Sequence, residues 1–298
     1  MQEKGTLSVN TENLMPIIKK WLYSDKDIFL RELVSNACDA ISKRDKLAAM
    51  SEAEAPDSYR VEIRANSTEG TLTISDNGLG MTADEVRKYI NQVAFSGAYD
   101  FIEKYESQAD GRDIIGHFGL GFYSAFMVAE KVVIQTLSYR PGAEAVRWES
   151  DGSSEYELSG GSRTAPGTDI ILYIDEDSRE FLEEPRLRSV LNKYCSFLPR
   201  PVFLCGEKEE QINDCSPLWL KKPSECSEEE YKSFYSKVFA DFTEPLFWIH
   251  LNVDYPFNLK GILYFPRLSG RMDNMQGEIK LYNNQVYVAD NIKEVIPE

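Results

Sequence analysis

No apolar run in the chain approaches the roughly 18 residues that a membrane-crossing helix needs, and the first residues, MQEKGTLSVNTENL, are polar and lack the apolar core of a signal peptide. Histidine is scarce, at two residues, and the five cysteines, Cys38, Cys195, Cys205, Cys215 and Cys226, form no C-x-x-C pair. Zinc sites built from Cys and His are therefore not expected, and an odd set of scattered thiols reads as reduced cysteine in a cytoplasmic protein. Basic residues are also in deficit: 33 Lys and Arg against 49 Asp and Glu give a net charge of −16. That balance argues against binding nucleic-acid phosphates and against anionic membranes. Internal repeats are absent. What the chain does have is core material, with 42% hydrophobic and 12% aromatic residues over 298 positions, a length that suggests about two domains.

Periodicity supplies the elements. From Thr11 to Tyr23 the residues Leu14, Ile17, Ile18, Trp21 and Leu22 keep helical spacing, and Asp25 to Met50 reads as a second, longer helix. RVEIRA and TLTISD alternate as strands joined by the turn-rich NSTEG. TADEVRKYI opens with Thr82 and Glu85 in capping-box spacing. Residues 92–115 are irregular and are expected to form a mobile flap. DIIGHFGLGFYSAFMVA follows, with Gly116, Gly119 and Gly121 just ahead of an apolar stretch that reads as a buried helix. Then come strands at KVVIQTLS, AVRWES, EYELSG and TDIILYI, a helical REFLEEPRLRSVLNKYCSFL and an extended RPVFLCG. These close a first unit over residues 1–210. A short polar linker with Pro217 and Pro223 is expected over 211–227. A second unit, 228–298, begins with the helix SEEEYKSFYSKVF and continues as strands; too little chain follows for a full domain, so this unit is expected to be truncated.

Three places bear on chemistry. On the second helix, Glu32, Asn36, Asp39 and Lys43 fall within about 60° of one another at 3.6 residues per turn, while Leu30, Leu33, Val34, Ala37 and Ile41 take a wider face. A polar stripe is ordinarily a solvated surface. Here an amide sits beside a carboxylate, Phe29, Ala40 and Leu47 flank the stripe, and Glu32 is one turn from Asn36, so that both can reach one metal-bound phosphate group. In TLTISDNGLGM, a period of two puts Asp76 on the inward face with Leu72 and Ile74. It either caps the N–H groups of an Asp-Asn-Gly turn or, as a group that only accepts hydrogen bonds, reads an exocyclic amine, with Gly78 and Gly80 admitting a flat ring. The glycine-rich loop is either a tight turn or a phosphate cradle of backbone N–H groups. Gly167 and Thr168 open a strong strand; alone, a threonine there is a strand former.

The order FLRELVSNACDA, DNGLGM, GHFGLGFYS and GTDIILYI resembles the Bergerat-type nucleotide fold, shared by gyrase-type topoisomerases, mismatch-repair MutL proteins, sensor histidine kinases and heat-shock protein 90 chaperones. The fuller wording, through PLWLKKPSECSEEEYKSFY and LKGILYFP, resembles heat-shock protein 90, in particular its bacterial HtpG-like branch. The resemblance implies an α/β two-layer sandwich that binds ATP, followed by part of an α/β middle domain, in an ATP-dependent molecular chaperone. It implies that Glu32 orients the attacking water, that Asn36 holds Mg²⁺, and that Asp76 accepts the adenine amine with Gly80, Met81 and Thr168 in support. Gly116, His117, Phe118, Gly119, Leu120, Gly121 and Phe122 would wrap the phosphates, with Phe122 also touching nucleotide, and Arg31, Asp39 and Lys43 would be accessory. The implied partners are unfolded or partly folded client proteins, with homodimerisation in the full-length protein and no nucleic acid or membrane. The family dimerises through a C-terminal domain and completes its site with an arginine in a segment reading roughly L-N-x-S-R, which Arg267 and Arg271 do not match; this length of chain is therefore expected to be monomeric and a weak ATPase. At the start of the flap the chain departs from the family, with Asn91 in place of a glycine and Phe95 in place of a lysine. The alternative, a DNA-acting ATPase of the MutL or gyrase kind, is disfavoured by charge; a sensor kinase would need a phosphoacceptor helix that His117 and His250 do not supply.

Overall fold

Alternation along the chain becomes a sheet. A computed structural model describes residues 25–92, 120–153, 155–253, 259–267 and 279–290. The strands β1 (Val61–Asn66), β2 (Thr71–Asp76), β3 (Ala129–Leu137), β4 (Val146–Ser150), β5 (Glu157–Gly160), β6 (Gly167–Ile174), β7 (Val202–Cys205) and β8 (Glu209–Gln211) form one eight-stranded sheet in the order β5-β4-β3-β6-β2-β1-β7-β8. Only β1 and β7 run parallel; the other neighbours are antiparallel. The inward residues of the central strands, among them Val61, Ile63, Leu72, Ile74, Val132, Ile134 and Leu172, are all 1% exposed or less.

The helical layer lies against that face. α1 (Ile28–Ala49) buries Phe29, Leu30, Leu33, Val34, Ala37, Cys38 and Ile41 in a stripe at the expected spacing. α2 (Ala83–Tyr89) starts at the anticipated capping box, with Thr82 and Glu85 each bonding the other's backbone N–H. α3 is Glu184–Tyr194. The segment expected to be one helix from Arg179 onward is split: a 3-10 turn runs over Glu176–Leu182, Glu183 is extended, and α3 begins there with Pro185 in its first turn. Proline has no N–H to continue an earlier helix but fits a new one at its start. Likewise the buried stretch after the glycine loop is a 3-10 helix, Gly121–Met127, and not an α-helix. Ser124 Oγ donates to the Gly121 carbonyl, a local bond that competes with an i−4 ladder, and the aromatic run has weak helix propensity. Among the described residues, no helix is long and apolar enough to cross a membrane.

The chain divides into two compact units. The first runs to Asn213, with β8 paired to β7 and Asn213 buried. The Asn213 amide donates to the carbonyls of Leu198 and Arg200, 2.7 Å each, and its Oδ1 accepts the Val202 N–H at 2.8 Å. The first unit also takes back Tyr282–Val288, which was expected in the second. Tyr287 meets Tyr194 edge-on at 5.7 Å and Tyr282 meets Phe197 at 5.3 Å; these residues belong to the strands β11 (Lys280–Asn283) and β12 (Val286–Asp290). In the second unit, α4 (Glu228–Phe239) carries a Ser227–Glu230 capping box and packs on the pair β9 (Phe247–Val253) and β10 (Leu259–Phe265), with Tyr231 stacked on Trp248 at 4.9 Å. The expected helix over 11–23 and most of the flap lie outside the described residues.

Phe181 is fully buried and meets Phe29 edge-on at 5.0 Å, joining the 3-10 turn to α1. Truncating such a ring costs about 3–5 kcal/mol. Phe181→Ala is expected to lower the unfolding free energy by that amount, read as a lower denaturant midpoint with an unchanged slope; a loss below about 1 kcal/mol would show that this contact does not hold the layers together.

Candidate functional site

β2 delivers Asp76 to the inward face, as its period demands: Leu72, Ile74 and Asp76 are 0%, 1% and 7% exposed. A buried carboxylate is costly unless hydrogen-bonded. Asp76 Oδ1 accepts the Gly78 N–H at 2.7 Å, the local turn bond that an Asp-Asn-Gly sequence allows. Burial nonetheless raises its pKa from 3.8 to about 7; the Gly78 and Thr168 backbone groups and the Arg163 charge pull it down, and Asp169 pushes it up. Two backbone donors do not use all the lone pairs of a carboxylate, so the group retains capacity for an outside donor.

Its cross-strand partner in the β2–β6 register is Thr168. The Thr168 hydroxyl lies 3.1 Å from that of Thr136 on β3, and Thr136 Oγ1 also sits 3.1 Å from the Gly167 carbonyl and accepts the Met81 N–H at 2.9 Å. Thr136 has one proton for two acceptors; when it donates to Gly167, Thr168 donates to it, and when it donates to Thr168, the Thr168 proton is free to face a ligand. Gly80 completes this end: its φ is +61°, and a Cβ there would lie 1.8 Å from the Leu137 carbonyl oxygen. Gly80 therefore already has a reason in the backbone of β3. Thr136 was not singled out from sequence, although it carries the same signal as Asp76, a polar residue at an inward period-two position. Arg163, in the β5–β6 loop, carries no periodic signal at all.

α1 is pressed onto this end of the sheet. A Cβ at Gly78 would fall 2.5 Å from the Ala40 carbonyl carbon, and the Leu79 N–H donates to Ala40 O at 3.2 Å. Ala40 is one turn beyond Asn36, so the close approach brings Asp76 toward the polar stripe of α1. On that stripe Glu32, Asn36 and Lys43 are half-buried and Asp39 is 5% exposed. Arg31 donates to Glu32 Oε1 through Nε and Nη2, at 3.0 and 2.7 Å. The other oxygen faces the glycine loop's end: a Cβ at Gly121 would lie 2.6 Å from Glu32 Oε2. Asp76, Gly80, Met81 and Thr168 thus form one group, and Glu32 with Gly121 another.

Gly116, His117, Phe118 and Gly119 lie outside the described residues, as does Phe95. Leu120 is half-buried and precedes the 3-10 helix. Phe122 is 8% exposed, and its ring meets Tyr123, Phe126 and Trp148 edge-on. That ring is committed to core packing. Asn91 has a partner of its own, since its Oδ1 accepts the Trp148 indole N–H at 2.9 Å. Among the described residues one acidic and thiol group, Glu62, Cys205 and Glu209, brings ligand atoms within 4.8 Å of one another. Arg60 and Arg64 already neutralise its carboxylates at 2.6–2.8 Å, which makes it an ion-pair network on the sheet edge.

Residues 24–157 match the family described as histidine kinase-, DNA gyrase B- and HSP90-like ATPase, and residues 205–298 match the family described as Hsp90 protein. The chain is 53% identical over 308 residues to a chaperone protein HtpG of Bacteroides fragilis (strain YCH46), covering 99% of this chain and 45% of that relative. To the chaperone protein HtpG of Porphyromonas gingivalis (strain ATCC BAA-308 / W83) it is 49% identical, with 100% and 45% covered. To that of Desulfitobacterium hafniense (strain Y51) it is 37% identical, with 100% and 50% covered. The chain spans about half the length of these curated relatives.

The buried Asp76 makes a prediction about stability. Its folded pKa, about 7, lies above the ordinary 3.8, so the folded state holds the proton more tightly and folding is penalised as pH rises through that interval. At about 1.4 kcal/mol per pH unit the full cost above pH 7 is roughly 4 kcal/mol. Asp76→Asn buries no charge; measured without ligand, its stability relative to wild type is expected to improve by up to about that amount between pH 4 and pH 8. A difference between the two proteins that stays constant with pH would mean Asp76 is ionised throughout.

Proposed function

The chain belongs to the heat-shock protein 90 family, and on that footing we propose that it binds ATP and ADP through Asp76 and serves ATP hydrolysis in a molecular chaperone. The observation that carries the reading is the buried carboxyl at the end of β2, with acceptor capacity left over and a hydroxyl relay, Thr168–Thr136–Met81, beside it. A group that only accepts hydrogen bonds suits the exocyclic amine of adenine, and the relay suits a water between base and protein. We read residues 1–210 as the ATP-binding domain, 211–227 as a linker and 228–298 as part of a middle domain.

The phosphates would then lie toward α1 and the start of the 3-10 helix. Mg²⁺ suits a hard oxygen donor, and the half-buried Asn36, one turn from Glu32 on α1, offers its side-chain carbonyl. When bound, the ion would neutralise charge on the β- and γ-phosphates. Glu32 orients a water for in-line attack on the γ-phosphorus: the new P–O bond forms as the bond to the bridging oxygen breaks, ADP leaves, and the carboxylate accepts the proton. Arg31, bound to Oε1, fixes the carboxylate and leaves Oε2 facing Gly121. Most of the rate would come from positioning and electrostatics. In the whole protein, turnover would drive conformational cycling on unfolded or partly folded clients in a cytoplasmic homodimer.

Two measurements test the reading. Asp76→Asn presents a group that can turn a donor toward the adenine amine; losing a charge-assisted bond costs about 1.5–3 kcal/mol, roughly tenfold to over a hundredfold in ADP affinity by calorimetry. Glu32→Ala is expected to bind ADP nearly as wild type while hydrolysis by the full-length protein falls roughly 10²- to 10⁴-fold. Wild-type ADP affinity in Asp76→Asn would sink the site assignment.

The DNA-acting alternative predicts something else. With a net charge of −16, no salt-dependent binding to duplex or single-stranded DNA is expected at about 0.1 M salt. Micromolar affinity that weakens steeply with added salt would favour the DNA enzyme.

A further inference from the structure

Asp76 is held from behind by a residue that neither its motif nor its strand contains. Arg163 lies in the loop between β5 and β6, and its side chain is only 14% exposed. Each of its three nitrogens has a separate acceptor. Nε donates to Ala165 O at 3.0 Å within its own loop, Nη1 to Asp169 Oδ1 on β6, and Nη2 to the backbone carbonyl of Asp76 at 2.7 Å. The planar fork of a guanidinium fixes these directions together, which an ammonium cannot do. Gly167 makes room: its φ is +134°, and a Cβ there would lie 2.1 Å from Asp76 O and 2.5 Å from Arg163 Nη2. Arg163 therefore sits where the end of β2 and the start of β6 come closest, beside the Asp76–Thr168 pair.

We propose that Arg163 is a positioning residue for base recognition: by gripping the Asp76 carbonyl and Asp169, it sets the orientation of the Asp76 carboxyl and favours its charged, acceptor-only form. The inference rests on the reading that Asp76 accepts the adenine amine. Its charge is one of few that bear on Asp76. Arg44 on α1 approaches from the helix side, donating to the Asn77 carbonyl at 2.8 Å, and Asp169 on β6 acts in the opposite sense. Burial raises the Asp76 pKa to about 7 even with Arg163 in place, and the Arg163 charge is a lowering influence. Removing that charge moves the carboxyl further up, so that the protonated form predominates at neutral pH and the charge-assisted acceptor is lost.

Two substitutions separate charge from geometry, and both retain a donor at this position. Arg163→Gln drops the charge; Arg163→Lys keeps it and drops the fork. The probe is ADP, titrated by calorimetry from pH 6 to pH 9, with Asp76→Asn alongside. For wild type the affinity is expected to rise with pH through a midpoint near 7 and level off about one unit above it. Arg163→Gln is expected to move that midpoint up by about one pH unit, weakening binding several-fold at pH 7 and recovering it by pH 9. Arg163→Lys is expected to keep the wild-type midpoint and bind several-fold more weakly at every pH. A loosened loop without a positioning role would weaken binding equally at all pH values in both variants. Wild-type midpoints in both variants, with Asp76→Asn still defective, would overturn the role of Arg163 and leave Asp76 standing. Wild-type binding by Asp76→Asn would instead remove the reading on which the proposal depends.

Discussion

Taking one carboxyl out of water at the end of a central strand constrains much of what surrounds it. Asp76 is 7% exposed with its ordinary pKa displaced to about 7, and a group so costly to bury needs every neighbour held in place. Gly78 supplies the N–H that Oδ1 accepts, and the same glycine lets α1 come against the loop at Ala40. Gly167 lets the β6 start approach the Asp76 carbonyl, and Gly80 turns the chain back beneath β3. Each of these glycines answers a backbone contact that a Cβ would occupy. The sequence DNGLG therefore owes its composition first to the closeness of helix and sheet.

In the proposed reading, affinity and chemistry fall to different elements. The proposed base-reading group stands on β2 and β6, while Glu32 and Asn36 stand on α1. Their relative placement depends on the Gly78–Ala40 contact and on the core residues that fix α1 to the sheet, Leu33, Ile41 and Ile74 among them. Packing at that density transmits small displacements, so a change that shifts α1 by a fraction of an ångström would move Glu32 relative to β2 and β6.

What could be read from the sequence is what periodicity or capping chemistry writes there. The stripe of α1, the alternation that turns Asp76 inward and the Thr82–Glu85 box all appeared where their spacing put them. What could not be read depends on contacts distant in sequence or on competition between local structures. Arg163 reaches Asp76 across 87 positions from an irregular loop. Asn213 looks like linker composition, yet it closes three backbone groups of the first unit. The return of Tyr282–Val288 to that unit rests on aromatic edges meeting Tyr194 and Phe197, which no local pattern announces. The 3-10 geometry after Gly121 was hidden because a short buried aromatic run has no polar face to reveal its period.

The acidic total of the chain and its proposed preference for an anionic ligand are compatible because the two act at different range. A net charge of −16 repels a long polyanion, whose many phosphates are spread over a surface. A nucleotide is met within a few ångströms, where the local balance decides. Arg163 and Arg44 stand beside Asp76, and Arg31 stands beside Glu32, so each carboxylate at the proposed site has a guanidinium close to it. At Glu32 that partner fixes the carboxylate through two hydrogen bonds to Oε1. At Asp76 the two guanidinium groups oppose the burial that would otherwise neutralise it. The same residue type thus offsets local negative charge at both places where the proposed ligand would come close.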